Sequence, residues 1–336
     1  MKKIGRWILL FLIVFFVGNF FLKGIYLNQT ITIQDGENVS KIFNNLGTVD
    51  KLRIKIYIYE KKKSIDFSKL SAGTYVFSGY YSKSDFINKI LIGPKQTFTR
   101  YTVLEGRSIY DIDSDLSKKG FIKQGEFISF VTDANIIGKY ILKYEFLQKT
   151  NKNLISLEGF LYPDTYYVPI EKNFVDQLVY MQLENFKNKV WENVKDKLNG
   201  FILNRNDILI LASIVEKEEK KSDNKPIVAG IFIKRLNIGM KLDADVSLCY
   251  GLHQSYETCK NYMTTKNLND KNNIFNTRQN KGLTPQAISN PSISSITSVL
   301  NYTNTDYLFY LHDKNGQIHY GKTLEEHNQN KQIYLN

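Results

Sequence analysis

Ser156-Leu157-Glu158-Gly159-Phe160-Leu161-Tyr162-Pro163-Asp164-Thr165-Tyr166-Tyr167-Val168-Pro169-Ile170 sets one carboxylate, Glu158, inside an almost wholly apolar and aromatic run. Gly159 and Pro163 punctuate the backbone, so the segment reads as an ordered turn rather than a long helix or strand. An ionised glutamate in such surroundings loses solvation, which raises its pKa and keeps a proton on it near neutral pH. A general acid needs that condition to protonate a poor leaving group such as a sugar oxygen. The competing reading turns Glu158 outward to cap a turn, with no chemistry attached.

Downstream of this turn the pattern becomes helical. Val175, Leu178, Met181, Leu183 and Phe186 keep a loose amphipathic period from Phe174 to Leu198, where Asn199-Gly200 ends it. Asp207 to Lys220 predicts a second helix with Ile208, Leu211, Ile214 and Val215 as its buried stripe. A third starts at Pro226 and runs through Ile227, Ile231 and Leu236. Tyr307 to Leu311, an Asn315-Gly316 turn and Ile318 to Tyr320 predict a hairpin. Upstream, Thr32 to Ile42 repeats the pattern of Thr102 to Ile112: a β-prone stretch, an acidic residue plus Gly, then a polar cap opening a helix. Between them Ser71 to Phe77 reads as a strand and Asp85 to Leu91 as a short helix. Strands and helices mix without strict alternation, so the fold class is α+β.

Lys2, Lys3 and Arg6 precede an apolar run from Trp7 to Leu22, which continues past Lys23 through Ile25, Tyr26 and Leu27. Roughly 20 such residues cross a bilayer as a helix. Positive charge before the span predicts a cytoplasmic N-terminus and an outer domain beyond it. A cleaved signal peptide is the alternative, but no Ala-x-Ala pattern follows the run, which favours an uncleaved single-pass anchor. The formal charge of +12 favours anionic surfaces. Nucleic acid is set aside, because the lysines are spread out and no nucleic-acid motif accompanies them. The 22 Tyr and 21 Phe suit a carbohydrate groove and equally build cores. Cys249 and Cys259 match no zinc or redox spacing, so a disulfide and two buried thiols both stay open.

Three segments carry a family likeness: Leu157-Glu158-Gly159 with Pro163-Asp164-Thr165-Tyr166; Ala212-Ser213-Ile214-Val215-Glu216-Lys217-Glu218; and Asn276-Thr277 with Gly282-Leu283-Thr284-Pro285 and Asn290-Pro291. In this order they resemble the endolytic murein transglycosylases, the YceG-like family, from about Ile31 to the C-terminus. The third segment departs most. Phe275-Asn276-Thr277-Arg278 stands where the family has Tyr-Asn-Thr-Tyr, and Gly282 to Ile288 lacks its usual Pro and Gly. Asp245-Val246-Ser247 likewise stands for Asp-Pro-Thr, with Tyr250-Gly251 following.

The apolar run sets an anchor over 1–27, and the resemblance implies a LysM-like βα module over 28–97 and a mixed α+β catalytic domain over 98–336. Any two short βα units would share the look of that module. The implied reaction is cleavage of MurNAc–GlcNAc β-1,4 bonds with closure of a 1,6-anhydro ring, and Glu158 is the implied acid/base. Tyr162, Ser213, Glu216, Asp245, Ser247, Asn276, Thr277, Gln286 and Asn290 are the implied substrate contacts, with Tyr166 and Tyr167 as further subsite candidates. On the helix Glu218 points roughly opposite to Glu216, and the family match raises it above a solvated face less than it raises Glu216; His319 and Glu326-His327-Asn328 match family positions of structural role. No cofactor or metal is implied. The implied partners are peptidoglycan glycan strands, the lipid bilayer of the inner membrane through the N-terminal helix, and peptidoglycan synthases, with the catalytic domain in the periplasm. Two rivals remain. A muramidase-type hydrolase would need a second carboxylate, for which Asp164, Glu216 and Asp245 are candidates. A non-catalytic peptidoglycan-binding scaffold is the other. A pyridoxal phosphate lyase is discounted, since no Gly-rich phosphate loop is present.

Overall fold

A computed structural model describes residues 18, 20, 23–33, 40–44, 46–61, 65–67, 71, 73–94, 98–148, 154–170, 173–198, 201–254 and 256–335. The chain divides into two compact units, Met1–Phe98 with Pro169–Lys172, and Thr99–Val168 with Asn173–Asn336.

The smaller unit orders strand β1 (Ile25–Ile33), helices α1 (Ser40–Asn44) and α2 (Thr48–Glu60), strand β2 (Gly73–Tyr81) and helix α3 (Lys83–Ile92). The two strands pair antiparallel, from Ile25 opposite Tyr81 to Ile33 opposite Gly73. Alternation puts Ile25, Leu27, Ile31 and Ile33 on one face, and all four are buried with Tyr75 and Phe77. Ile42, Ile54, Phe86 and Ile90 close this core from the helices. Ile25, Tyr26 and Leu27, expected to prolong a membrane helix, are therefore strand residues: their alternate side chains have a partner strand to pack against. The rest of the expected anchor falls outside the described residues, apart from positions 18, 20, 23 and 24. Among the described residues no helix is long and apolar enough to cross a membrane. The sequence pattern also gives no signal for α2, because Arg53 to Ile58 alternates like a strand. The helix is supported locally by the Arg53–Asp50 pair at 3.0 Å, one turn apart.

The larger unit runs from strand β3 (Phe98–Thr102) through helices α4 (Ile109–Lys118), α5 (Glu126–Thr132) and α6 (Ala134–Lys143) to strand β4 (Thr165–Pro169). Helices α7 (Phe174–Phe186), α8 (Arg205–Glu218), α9 (Lys225–Asn237), α10 (Asp245–Gly251) and α11 (Ile293–Leu300) follow, then strands β5 (Phe309–His312) and β6 (Ile318–Gly321) and helix α12 (Leu324–Tyr334). The expected long helix to Leu198 is α7 prolonged by a π-helical stretch, Lys187–Trp191, and short helical turns. β3 pairs with β4, and β5 with β6 as the expected antiparallel hairpin. At the entrance to α4, Gly106 takes φ +71° and Ser108 forms a capping box with Asp111.

Helix α8 organises this unit. Asn204 caps it by accepting from the Asp207 N–H at 3.0 Å. Every residue from Ile208 to Val215 is buried, a wider apolar surface than the expected stripe, because α9, α10 and α11 pack around it. Cys249 and Cys259, whose pairing the sequence leaves open, form a disulfide.

Candidate active site

The turn at 157–161 is closed by the Phe160 N–H donating to Leu157 O at 3.1 Å. Gly159 sits at φ +90°, and a Cβ there would come 2.7 Å from Ala287 Cβ and 3.0 Å from Leu209 Cδ2. Only glycine fits this approach. The adjacent Glu158 is 2% exposed. Its Oε1 accepts from Asn290 Nδ2 at 2.7 Å and its Oε2 from the Ile109 N–H, at the start of α4, at 2.8 Å. The Tyr250 hydroxyl, on α10, also reaches the carboxyl. That hydroxyl accepts from Gln286 Nε2 at 2.7 Å, Gln286 Oε1 accepts from Ser156 Oγ at 2.8 Å, and Ser156 Oγ accepts from the Glu158 N–H at 3.1 Å. The side chains form a closed ring. Burial pushes the carboxyl up to about 8; nearby Asp111 adds to this, against the Ile109 N–H, Tyr250 and Lys217.

The desolvated carboxyl expected from the sequence is thus present, and the outward-facing alternative is excluded. The carboxyl is enclosed, with both oxygens bonded to the protein.

Most of the other residues expected to contact substrate are buried as well. Asn290 is fully buried, and its Oδ1 accepts from the Gly159 and Leu161 N–H groups at 2.8 and 3.1 Å while its Nδ2 reaches Arg107 O and Glu158. Ser213 Oγ donates to Ile210 O and accepts from the Ile288 N–H, tying α8 to the 282–291 loop. Ser247 and Thr277 hydroxyls meet at 2.9 Å beside the Ala244 backbone. Asn276 Nδ2 donates to the carbonyls of Asn267, Leu268 and Asp270. Tyr162 lies in the core, as does Tyr166, whereas Tyr167 is exposed. Glu216 Oε2 accepts from the Ser292 N–H, Ser292 Oγ and Ser295 Oγ at 2.9, 2.6 and 2.7 Å, and its Oε1 from Lys225 at 3.2 Å. Burial alone would raise Glu216, but the two serines and Lys225 hold it below the usual range. These polar groups satisfy buried backbone and helix ends. Asp245 and Gln286 remain partly open.

A second raised carboxyl, to which the sequence motif gives less weight than Glu216, lies at the C-terminal end of α8. Glu218 keeps part of its surface exposed. Its Oε2 accepts from the Tyr310 hydroxyl, on β5, at 2.8 Å, and its Oε1 has no donor among the described residues. Burial of the carboxyl pushes it up to about 7, with Asp245 adding to this, against Tyr310, His312 and Arg235. Burial and the Glu218 charge in turn raise the Tyr310 hydroxyl well above its ordinary value, so it stays a donor. Asp245, with a side chain 44% exposed, accepts from Arg278 at 2.6 Å. Arg235 fixes the hairpin from α9 by donating to Leu308 O at 2.7 Å and Leu242 O at 2.6 Å. The arrangement offers an acid that titrates near neutrality, held at one oxygen and open at the other, with an acidic and a cationic neighbour. The sequence signal for it existed: the Ala-Ser-Ile-Val-Glu-Lys-Glu match runs through Glu218 itself.

Comparison with known proteins gives a consistent picture. The profile of the YceG-like family matches residues 31–333. An endolytic murein transglycosylase of Bacillus subtilis strain 168 is 27% identical over 311 residues, covering 91% of this chain and 84% of that protein. One of Streptococcus pneumoniae strain D39 is 25% identical over 329 residues, covering 91% of this chain and 58% of that protein, so the chain spans little more than half the pneumococcal relative. The crystal structure of a YceG-like protein from Listeria monocytogenes superposes with a TM-score of 0.60 at 25% identity, covering 90% of this chain and 98% of that one.

Proposed function

The chain belongs to the YceG-like family, and from that premise we propose that it is an endolytic lytic transglycosylase of peptidoglycan. In this reading it cuts MurNAc–GlcNAc β-1,4 bonds in nascent strands, leaves 1,6-anhydroMurNAc ends and so limits strand length. Glu218 is the acid/base in place of Glu158. The observation that carries this is its carboxyl, poised at about 7 with Oε2 bound to Tyr310 and Oε1 unclaimed. Protonated Glu218 gives its hydrogen to the glycosidic oxygen as the C1–O bond breaks. The resulting carboxylate takes the proton of the C6 hydroxyl, whose oxygen closes on C1. The nucleophile is tethered to the reacting sugar, so no second catalytic carboxylate is required. Burial keeps Glu218 protonated, the charge of Asp245 adds to this, and Asp245 is the acid that would meet the positive charge developing at C1.

Asp245 also favours the rival reading, a hydrolase in which it activates water. Product masses separate the two: anhydro ends support transglycosylation, and ends heavier by one water mean hydrolysis. Glu218→Gln should lower the rate on purified glycan strands by at least about a hundredfold. In the parent, kcat/KM should fall as pH rises through about 7, because the acid form is the active one. A Glu218→Gln protein that cuts at the parent rate, or a rate rising through that range, rules out Glu218.

The organisation proposed with this activity is an N-terminal membrane anchor, a LysM-like module that orients the enzyme on glycan, and a catalytic domain outside the cytoplasmic membrane near the synthases. The strand–helix–helix–strand order of the smaller unit supports the module, and the disulfide supports an oxidising compartment.

A further inference from the structure

Resting on the reading of this chain as a peptidoglycan enzyme, we propose that a cavity of about 530 Å³ in the larger unit receives the peptide stem carried by MurNAc. Its wall includes Asn206, in the first turn of α8, and Asn280, Lys281 and Leu283, with Ile155 and Ile274 at the rim. Asn206 is 7% exposed, yet neither end of its side-chain amide has a partner among the described residues. Buried amides are nearly always bonded, so one that opens into a cavity marks a place where a polar ligand completes the set. A side-chain amide presents one donor and one acceptor edge, which a peptide group matches with its own C=O and N–H. Asn280 spends its Nδ2 on Asn273 O at 2.9 Å and leaves its Oδ1 as an acceptor.

Lys281 is exposed and pairs with no carboxylate among the described residues, so it can meet the carboxylate of an acidic stem. Asp207, the one acid beside Asn206, is turned back to Asn204 at 2.6 Å. Ile155 and Ile274 are 54% and 60% exposed, and small aliphatic side chains such as alanyl methyls would cover them. Among the described residues no aromatic ring lines the cavity, which makes it a poor platform for a sugar face. Its wall is also coupled to the interior: Gln286 lines it and continues through Tyr250 to Glu158.

The test is binding, which is independent of turnover. The full chain in detergent is titrated calorimetrically with N-acetylmuramoyl-L-alanyl-D-isoglutamine and, separately, with N-acetylmuramic acid. The dipeptide conjugate should bind more tightly than the sugar alone. Lys281→Glu should weaken the conjugate about fivefold, the scale of one exposed ion pair. Asn206→Leu should weaken it about tenfold, as loss of a buried hydrogen-bonding partner does. Lys281 is on the surface, so its variant keeps the test valid even if the Asn206 variant folds poorly. Equal binding of the two probes by the parent, or dipeptide binding unchanged in Lys281→Glu, overturns the proposal. Anhydro products alongside either result would leave the enzymatic reading intact. Dipeptide binding by a chain that cuts no glycan would do the reverse.

Discussion

Glu158 and Glu216 are both buried carboxylates of the same unit, and their surroundings drive them in opposite directions. Glu216 collects three donors from the start of α11 plus Lys225, which outweigh desolvation. Glu158 has fewer donors and an acidic neighbour, so desolvation wins and the folded chain binds its proton up to about 8, against an ordinary value of 4.5. The consequences for stability have opposite signs. Glu158 contributes stability fully present below 4.5 and lost as pH rises to about 8; Glu216 contributes stability present above 4.5 and lost in more acid solution. Urea melts should therefore lose stability between those limits with a slope near 1.4 kcal/mol per pH unit from Glu158, about the worth of one proton. Glu158→Gln should flatten that slope and lower stability by about 1–3 kcal/mol, since its NH₂ must face a donor from Asn290 or Ile109. An unchanged slope would mean that Glu158 does not hold the proton. The greasy surroundings of Glu158 were readable from its immediate neighbours in sequence. Its enclosure was not, because Asn290, Ile109 and Tyr250 arrive from distant segments.

At the scale of elements, α8, α9 and the β5–β6 hairpin announce themselves through periodicity, a helix-start proline and an Asn-Gly turn. Helix α11 does not. Ile293 to Leu300 is rich in Ser and Thr, and its helical form depends on Ser292 and Ser295 finding Glu216 on α8. That information is spread over 76 positions, so no local window contains it. The resemblance found the loop at 275–291, whose polar residues Asn276, Thr277 and Asn290 hold backbone in place. The disulfide acts on a neighbouring piece of the same region. Cys249 and Cys259 are 10 positions apart and tie the end of α10, which carries Tyr250, to the next short helix. Replacing both with alanine should cost about 2–3 kcal/mol in a denaturant melt, the usual effect of opening so short a loop. A loss below about 0.5 kcal/mol would mean that packing alone holds α10.

On the scale of the whole molecule, the position of β1 decides where the chain can be cut. A boundary after residue 27 removes Ile25 and Leu27, two buried members of the smaller unit's core and three positions of the β1–β2 register. A chain beginning at Lys23 should be soluble without detergent and melt cooperatively. One beginning at Asn28 should lose about 2–5 kcal/mol from the smaller unit, as deletion of large buried side chains does. The proposed anchor predicts in addition that only the full chain sediments with membranes and resists salt extraction; recovery of the full chain in the salt wash would refute it. The α+β class was accessible from pattern, but the first strand was hidden because its apolar residues follow the preceding apolar run across only Lys23-Gly24. Asn290 carries a further implication. It clasps Glu158 from 132 positions later in the chain, and Tyr310 reaches Glu218 from 92 positions later. A polypeptide threaded outward from its N-terminus delivers both glutamates long before the residues that fix them. On the proposed reading of an exported transglycosylase, half-exported molecules hold no assembled acid site, and the capacity to cut would arrive only once Tyr310 has emerged.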